Sequence, residues 1–79
     1  MNANEVKNVL ESAISNSVVI AEGEGCSFQV TVVSPVFDGL STVKRQQLVY
    51  SHLQDAIASG AIHAVTMKTF TPEQYNAAN

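Results

Sequence analysis

The sequence predicts an α+β domain: a two-layer αββαβ(α) arrangement, with a three-stranded mixed sheet carrying its helices on one face. Three observations carry that expectation. Residues 6–14 place apolar side chains at helical spacing, and residues 28–32 alternate apolar with polar at strand spacing. A second helical stripe, over residues 43–57, then separates this strand from another near the C-terminus. A chain of 79 residues suits one domain over residues 1–79 and is too short for two.

The first helix rests on Val6, Val9, Leu10, Ala13 and Ile14, with Glu5, Lys7 and Glu11 on the opposite face. Asn2 or Asn4 can cap its start, and Ser15-Asn16-Ser17 ends it. Val18-Val19-Ile20-Ala21 is β-branched and reads as a short strand. Glu22-Gly23-Glu24-Gly25 reads as a flexible turn, with Cys26 at the exit of the hairpin loop. Phe28-Gln29-Val30-Thr31-Val32 alternates as a half-buried strand does. Pro35 stops it, because proline lacks the N–H that a ladder needs.

Phe37-Asp38-Gly39-Leu40 forms a turn, in which Gly39 supplies a positive φ, and Ser41 caps the next helix. That helix is expected to reach about Ala58. Val43, Tyr50, Leu53 and Ile57 mark its buried face, with Leu48 and Val49 widening the stripe, and Ser59-Gly60 closes it. Residues 62–70 form the third strand, with Ile62, Ala64, Thr66 and Lys68 on one side and His63, Val65 and Met67 on the other. Thr71 can cap a terminal helical turn, Pro72 suits its first position, and Gln74 can complete a capping box. A strand–helix–strand crossover of the usual hand lays both main helices on one sheet face.

A chain this small buries only about 60–65% of the surface it exposes when unfolded. Its stability should be on the order of 5 kcal/mol, and a deep substrate pocket would be hard to build. Work through the surface and through partners is the better expectation. The net charge is −3, and Lys7, Lys44, Arg45 and Lys68 are the only lysines and arginines. Sequence-independent binding of duplex DNA needs clustered cations, and only Lys44 and Arg45 adjoin. Cys26 is the single cysteine, so an internal disulfide is excluded and a reducing compartment is expected. The N-terminus lacks an apolar signal core, and no apolar run approaches the ~20 residues of a membrane span. A soluble cytoplasmic protein follows.

Three segments together resemble the BolA family. They are Phe28-Gln29-Val30-Thr31-Val32-Val33-Ser34, then Phe37-Asp38-Gly39-Leu40 running into Leu48-Val49-Tyr50, then Ile62-His63-Ala64 running into Thr71-Pro72-Glu73-Gln74-Tyr75. They occur in order over nearly the whole chain, which looks most like the short bacterial branch of that family. The resemblance implies a fold like the class II KH domain. It also implies binding to a monothiol glutaredoxin, with a bridging [2Fe–2S] cluster held by both proteins and glutathione. The family's histidine ligand matches His63. A second ligand comes from the loop between the first two strands, where Cys26 is the nearest candidate and some members place the ligand at the position of Glu24 or Gly25. The family often has arginine-histidine-arginine ahead of the leucine-valine-tyrosine run. Here the triplet reads Arg45-Gln46-Gln47.

The residues themselves point the same way on ligand count. Thiolate and imidazole suit iron–sulfur chemistry, but one cysteine and one nearby histidine cannot complete a cluster's ligand set or a structural zinc site. A site shared with a partner uses what the chain has. The alternative for His63 is a strand histidine satisfied by a backbone carbonyl, and for Cys26 a small hydrophobe. His52, beside Ser51 and Asp55, reads as a solvated helix residue. No catalytic constellation is visible: a Cys–His pair would also need a pocket, an orienting group and an oxyanion site. The chain is therefore read as an adaptor in iron–sulfur trafficking, iron homeostasis or stress response, and as no enzyme. It would carry no metal alone and would be a monomer or weak homodimer. The competing reading is a KH-like nucleic-acid-binding transcriptional regulator, contacting DNA weakly through Lys44, Arg45 and Lys68. A third is an interaction domain that binds its partner without a cluster.

Overall fold

The N-terminal stripe folds into a helix as read. In the computed structural model, which describes residues 2–24 and 27–78, α1 spans Ala3–Ala13. The Asn2 side-chain oxygen accepts the Glu5 amide at 2.9 Å, satisfying one of the amides a helix start leaves open. Val6, Leu10 and, just past the end, Ile14 are buried, whereas Val9 and Ala13 are exposed. The helix meets the sheet along one row spaced four residues apart, so its buried stripe is narrower than the spacing suggested.

Strand β1 is Val18–Glu24 and β2 is Ser27–Val33, paired antiparallel from Val18 opposite Val33 to Glu24 opposite Ser27. The expected turn is thereby corrected, since Glu22, Gly23 and Glu24 are strand. Their ladder partners Gln29, Phe28 and Ser27 override a weak intrinsic strand preference. Gly23 permits this close approach. It has φ +142°, and a Cβ there would stand 2.2 Å from the Ser27 carbonyl oxygen and 2.8 Å from Phe28 Cα. Cys26 lies outside the described residues.

Pro35 ends β2 and opens one 3-10 turn, Pro35–Phe37, which sinks Phe37 fully into the core. Ser41 caps α2, Thr42–Ser51, its hydroxyl accepting the Lys44 amide at 3.3 Å. The single helix expected to about Ala58 is in fact two. The His52 and Leu53 amides reach back only three residues, to the Val49 and Tyr50 carbonyls at 3.2 and 2.9 Å. With Leu53 at ψ 0°, the axis breaks before α3, Gln54–Ala58. The buried line runs through Val49 and Leu53, four residues apart. Val43 and Tyr50, expected on that line, are 62% and 42% exposed, because the helix turns Val49 inward and their side of it outward.

Strand β3, Ala64–Phe70, pairs parallel to β2 from Ser27 opposite Ala64 to Val33 opposite Phe70, giving the order β1-β2-β3. Ile62 was expected within this strand on the Ala64 side. It instead precedes the strand, with its amide on the Ala56 carbonyl at 3.1 Å and its side chain in the core. One sheet face supplies Val19, Phe28, Val30 and Val32 to a core shared with Val6, Leu10, Phe37, Val49, Leu53 and Ile62. The other face, with Ile20, Gln29, Thr66 and Lys68, is open. The terminal turn extends into α4, Pro72–Ala78. Its capping box is reciprocal: the Gln74 amide donates to Thr71 Oγ1 at 3.2 Å, and the Thr71 amide donates to Gln74 Oε1 at 3.0 Å.

Candidate functional site

The parallel ladder begins where Ser27 faces Ala64. Cys26 precedes the first of these in sequence and His63 precedes the second. The fold therefore brings the start of β2 beside the start of β3. His63 is held from both sides. Behind it, Gly60 adopts φ +83°, and Ile62 is anchored in the core. Ahead of it, Ala64 enters the ladder. His63 itself is exposed, and among the described residues no hydrogen bond engages its ring. The alternative of a strand histidine satisfied by a backbone carbonyl is thus not what the structure has. An open hollow of about 390 Å³, lined by Glu22, Gly23, Ser27, Phe28, Gln29, Ala64 and Thr66, lies at the same end of the sheet.

Both imidazole nitrogens of a neutral, exposed histidine are available to solvent or to a partner, and the unprotonated one can act as a ligand. Among the described residues no three of His, Cys, Asp or Glu converge on a point that could hold a metal ion. What the described part of the sheet end offers is one exposed imidazole, that of His63.

The three cations considered as phosphate contacts are dispersed. Lys68 lies on the open sheet face near Ile20 and Thr31. Lys44 lies on α2, a helix that packs on the other face. Arg45 is committed internally: its Nε donates to the Leu40 carbonyl at 3.0 Å and its Nη1 to Gln74 Oε1 at 2.6 Å. It ties the start of α2 to the cap of α4. His52 is exposed at the end of α2, as read. Gly39 has φ +81° and open space where a Cβ would stand, so its role is turn geometry.

Glu11, placed by its spacing on the face away from the buried stripe, has a role that spacing did not foretell. Its Oε1 accepts from Lys7 Nζ at 2.8 Å, and its Oε2 accepts the Val19 amide at 3.1 Å. The lysine, and then the amide, hold the Glu11 carboxyl below the usual carboxylate range. The Lys7–Glu11 spacing of four residues was a visible signal of an ion pair; the reach to β1 was not. No described helix is long and apolar enough to cross a membrane.

Comparisons with known proteins agree on one family. The family model described as BolA-like protein matches residues 3–74. The acid stress protein IbaG of Escherichia coli K12 is 45% identical over 75 residues, which cover 95% of this chain and 89% of that protein. The structure of a BolA homologue from Coxiella burnetii superposes with a TM-score of 0.86 at 38% identity, covering 96% of this chain and 97% of the other. The BolA domain of SufE1 from Arabidopsis thaliana gives a TM-score of 0.80 at 29% identity, over 90% of this chain and 92% of that one.

Proposed function

For a chain that belongs to the BolA family, we propose the function of an adaptor that binds a monothiol glutaredoxin and contributes ligands to a [2Fe–2S] cluster bridging the two proteins. The observation that carries this reading is His63, exposed and unbonded at the sheet end where Ser27 meets Ala64. A histidine kept for structure would be expected to spend its ring N–H on a neighbour. This one faces solvent, where an outside group can reach it.

In this reading His63 supplies an imidazole nitrogen and Cys26 a thiolate, and the partner with its glutathione completes the set. The cluster, when bound, supplies iron centres that accept such donors. The contribution of this chain is positional. Ile62 in the core and Ala64 in the ladder fix the backbone on either side of His63, so the ring is presented from a rigid rim. The open rim leaves room for a second protein to approach. Binding and holding, with no catalysed reaction, is the activity proposed, in the service of iron–sulfur trafficking, iron homeostasis or stress response.

The test is anaerobic reconstitution with a monothiol glutaredoxin, glutathione, iron and sulfide, read by absorption and circular dichroism against the glutaredoxin alone. A heterodimer with an altered cluster spectrum is expected, and His63→Ala should change that spectrum. A glutaredoxin spectrum unaffected by this chain, with no complex by size exclusion, would overturn the reading. A complex that survives loss of both His63 and Cys26 would favour cluster-independent binding instead.

A further inference from the structure

Strand order places β1 at an edge of the sheet, and its outward backbone groups can be identified. The Ser34 amide donates to the Phe70 carbonyl at 3.0 Å, continuing the parallel ladder. Backbone direction alternates along a strand, so Val32, Val30 and Phe28 likewise turn their amides and carbonyls toward β3. Val33, Thr31 and Gln29 turn theirs toward Val18, Ile20 and Glu22. The outer edge of β1 is therefore Val19, Ala21 and Gly23. Glu11 agrees independently, since it takes the Val19 amide from outside the sheet. Among the described residues, nothing outside the sheet accepts the Ala21 or Gly23 amide.

Natural edges are blunted by proline, lysine, bulges or a covering element. The opposite edge, β3, carries Lys68. β1 has neither proline nor cation and pairs with β2 without a bulge, and its Val18 and Ile20 are 58% and 41% exposed. The hydrogen-bonding cover along this edge is the Glu11 carboxylate, at one end.

We propose that β1 is a strand-pairing site for a second copy of this chain, with Glu11 as its guard. An antiparallel, two-fold pairing centred on Ala21 lets the two Ala21 residues bond reciprocally. Each Gly23 amide then reaches the Val19 carbonyl of the other copy. The Val19 amide stays on Glu11, so the pair forms incompletely. This register sets Ile20 beside Glu22 of the other copy, and no carboxylate faces its own counterpart. Moving the centre to Glu22 would oppose Glu22 to itself, which is unfavourable. A second copy is the occupant the structure favours because both halves of the interface are already present, equal in length and open on the same side. Two strands of 7 residues cover an area below the roughly 1,200 Å² of a stable complex. Each copy also carries −3. The dimer is therefore weak and strengthens as salt screens the repulsion.

The experiment uses the full ¹⁵N-labelled chain in a dilution series at low and high salt, with sedimentation and amide chemical shifts read together. The Ala21 and Gly23 amides should shift with concentration, more so at high salt. Glu11→Ala frees the Val19 amide and should tighten the dimer about tenfold, as expected for two added backbone bonds. Ala21→Pro removes the central outward donor while leaving the bonds to β2 in place, and should remain monomeric. Circular dichroism checks the fold of each variant, and if Ala21→Pro does not fold, the wild-type and Glu11→Ala series decide. Concentration-dependent shifts that leave β1 silent would overturn the proposal. So would a folded Glu11→Ala that associates no better than wild type, or a folded Ala21→Pro that associates as wild type does.

Discussion

Replacing Gly23 with alanine should cost far more than its place near a hairpin end suggests. The added Cβ would stand 2.2 Å from the Ser27 carbonyl oxygen, 2.8 Å from Phe28 Cα and 3.1 Å from Phe28 Cδ1. Two of these neighbours are backbone and belong to the facing strand, so no side-chain rotation relieves them. The φ of +142° adds strain for any residue with a Cβ. Strain and overpacking each cost about 1–3 kcal/mol, so a total near 3 kcal/mol is expected. Against a stability on the order of 5 kcal/mol, that is more than half. Gly39→Ala is the internal control: its φ is also positive, at +81°, but a Cβ there meets open space. It should cost about 1–2 kcal/mol from backbone strain alone. Urea denaturation of both variants measures the difference, and the Ser27 and Ala64 amide shifts report whether the hairpin end has opened. A Gly23→Ala cost equal to that of Gly39→Ala would refute the close-approach argument.

Three further outcomes are expected. His63→Ala should leave the urea midpoint almost unchanged, within about 0.5 kcal/mol, because the ring is exposed and unbonded; a larger loss would mean the side chain has a structural partner. Glu11 is held below its ordinary value near 4.5, first by the Lys7 hydrogen bond and then by the Val19 amide. The unfolded chain then binds the proton more readily than the folded one, so the stabilisation is present above that value and is lost as pH falls through the lower folded value. Urea midpoints followed from neutral to about pH 3 should fall less steeply for Glu11→Gln than for wild type, and parallel curves would contradict the assignment. Arg45→Ala and Gln74→Ala should each destabilise by about 1 kcal/mol, and the double variant by less than their sum, since both lose the same 2.6 Å bond; strict additivity would show that the bond contributes nothing.

Much of the fold was legible because local chemistry and global packing agree. The alternation over residues 28–32 marked β2, and Thr71, Pro72 and Gln74 spelled out the cap that the structure forms. The misread parts are those that distant partners decide. Glu22 to Glu24 look like a turn in isolation, and only the facing Ser27 to Gln29 make them strand. Nothing local at His52 or Leu53 signals a helix break; it shows only where their amides reach back three residues and Leu53 sits in the core. Val43 and Tyr50 match a helical period yet face outward, because periodicity gives a set of candidate faces and packing selects one. His63 became a candidate through family resemblance alone. Its exposure and its place one residue ahead of the ladder depend on a parallel register that no short-range pattern encodes.

That register also bears on when the proposed site could form. The hairpin of β1 and β2 closes locally, whereas β3 returns to β2 only after a crossover running from Ser34 to His63. Such long-range pairings are slow to form and lost early, because loop closure precedes any contact that rewards it. A partly folded chain would hold the start of β2 and His63 apart. Any partner gripping both therefore reads completion of the fold, and by binding the finished form alone it shifts the folding equilibrium toward it. A small domain with a thin core can then draw part of its persistence in the cell from the company it keeps.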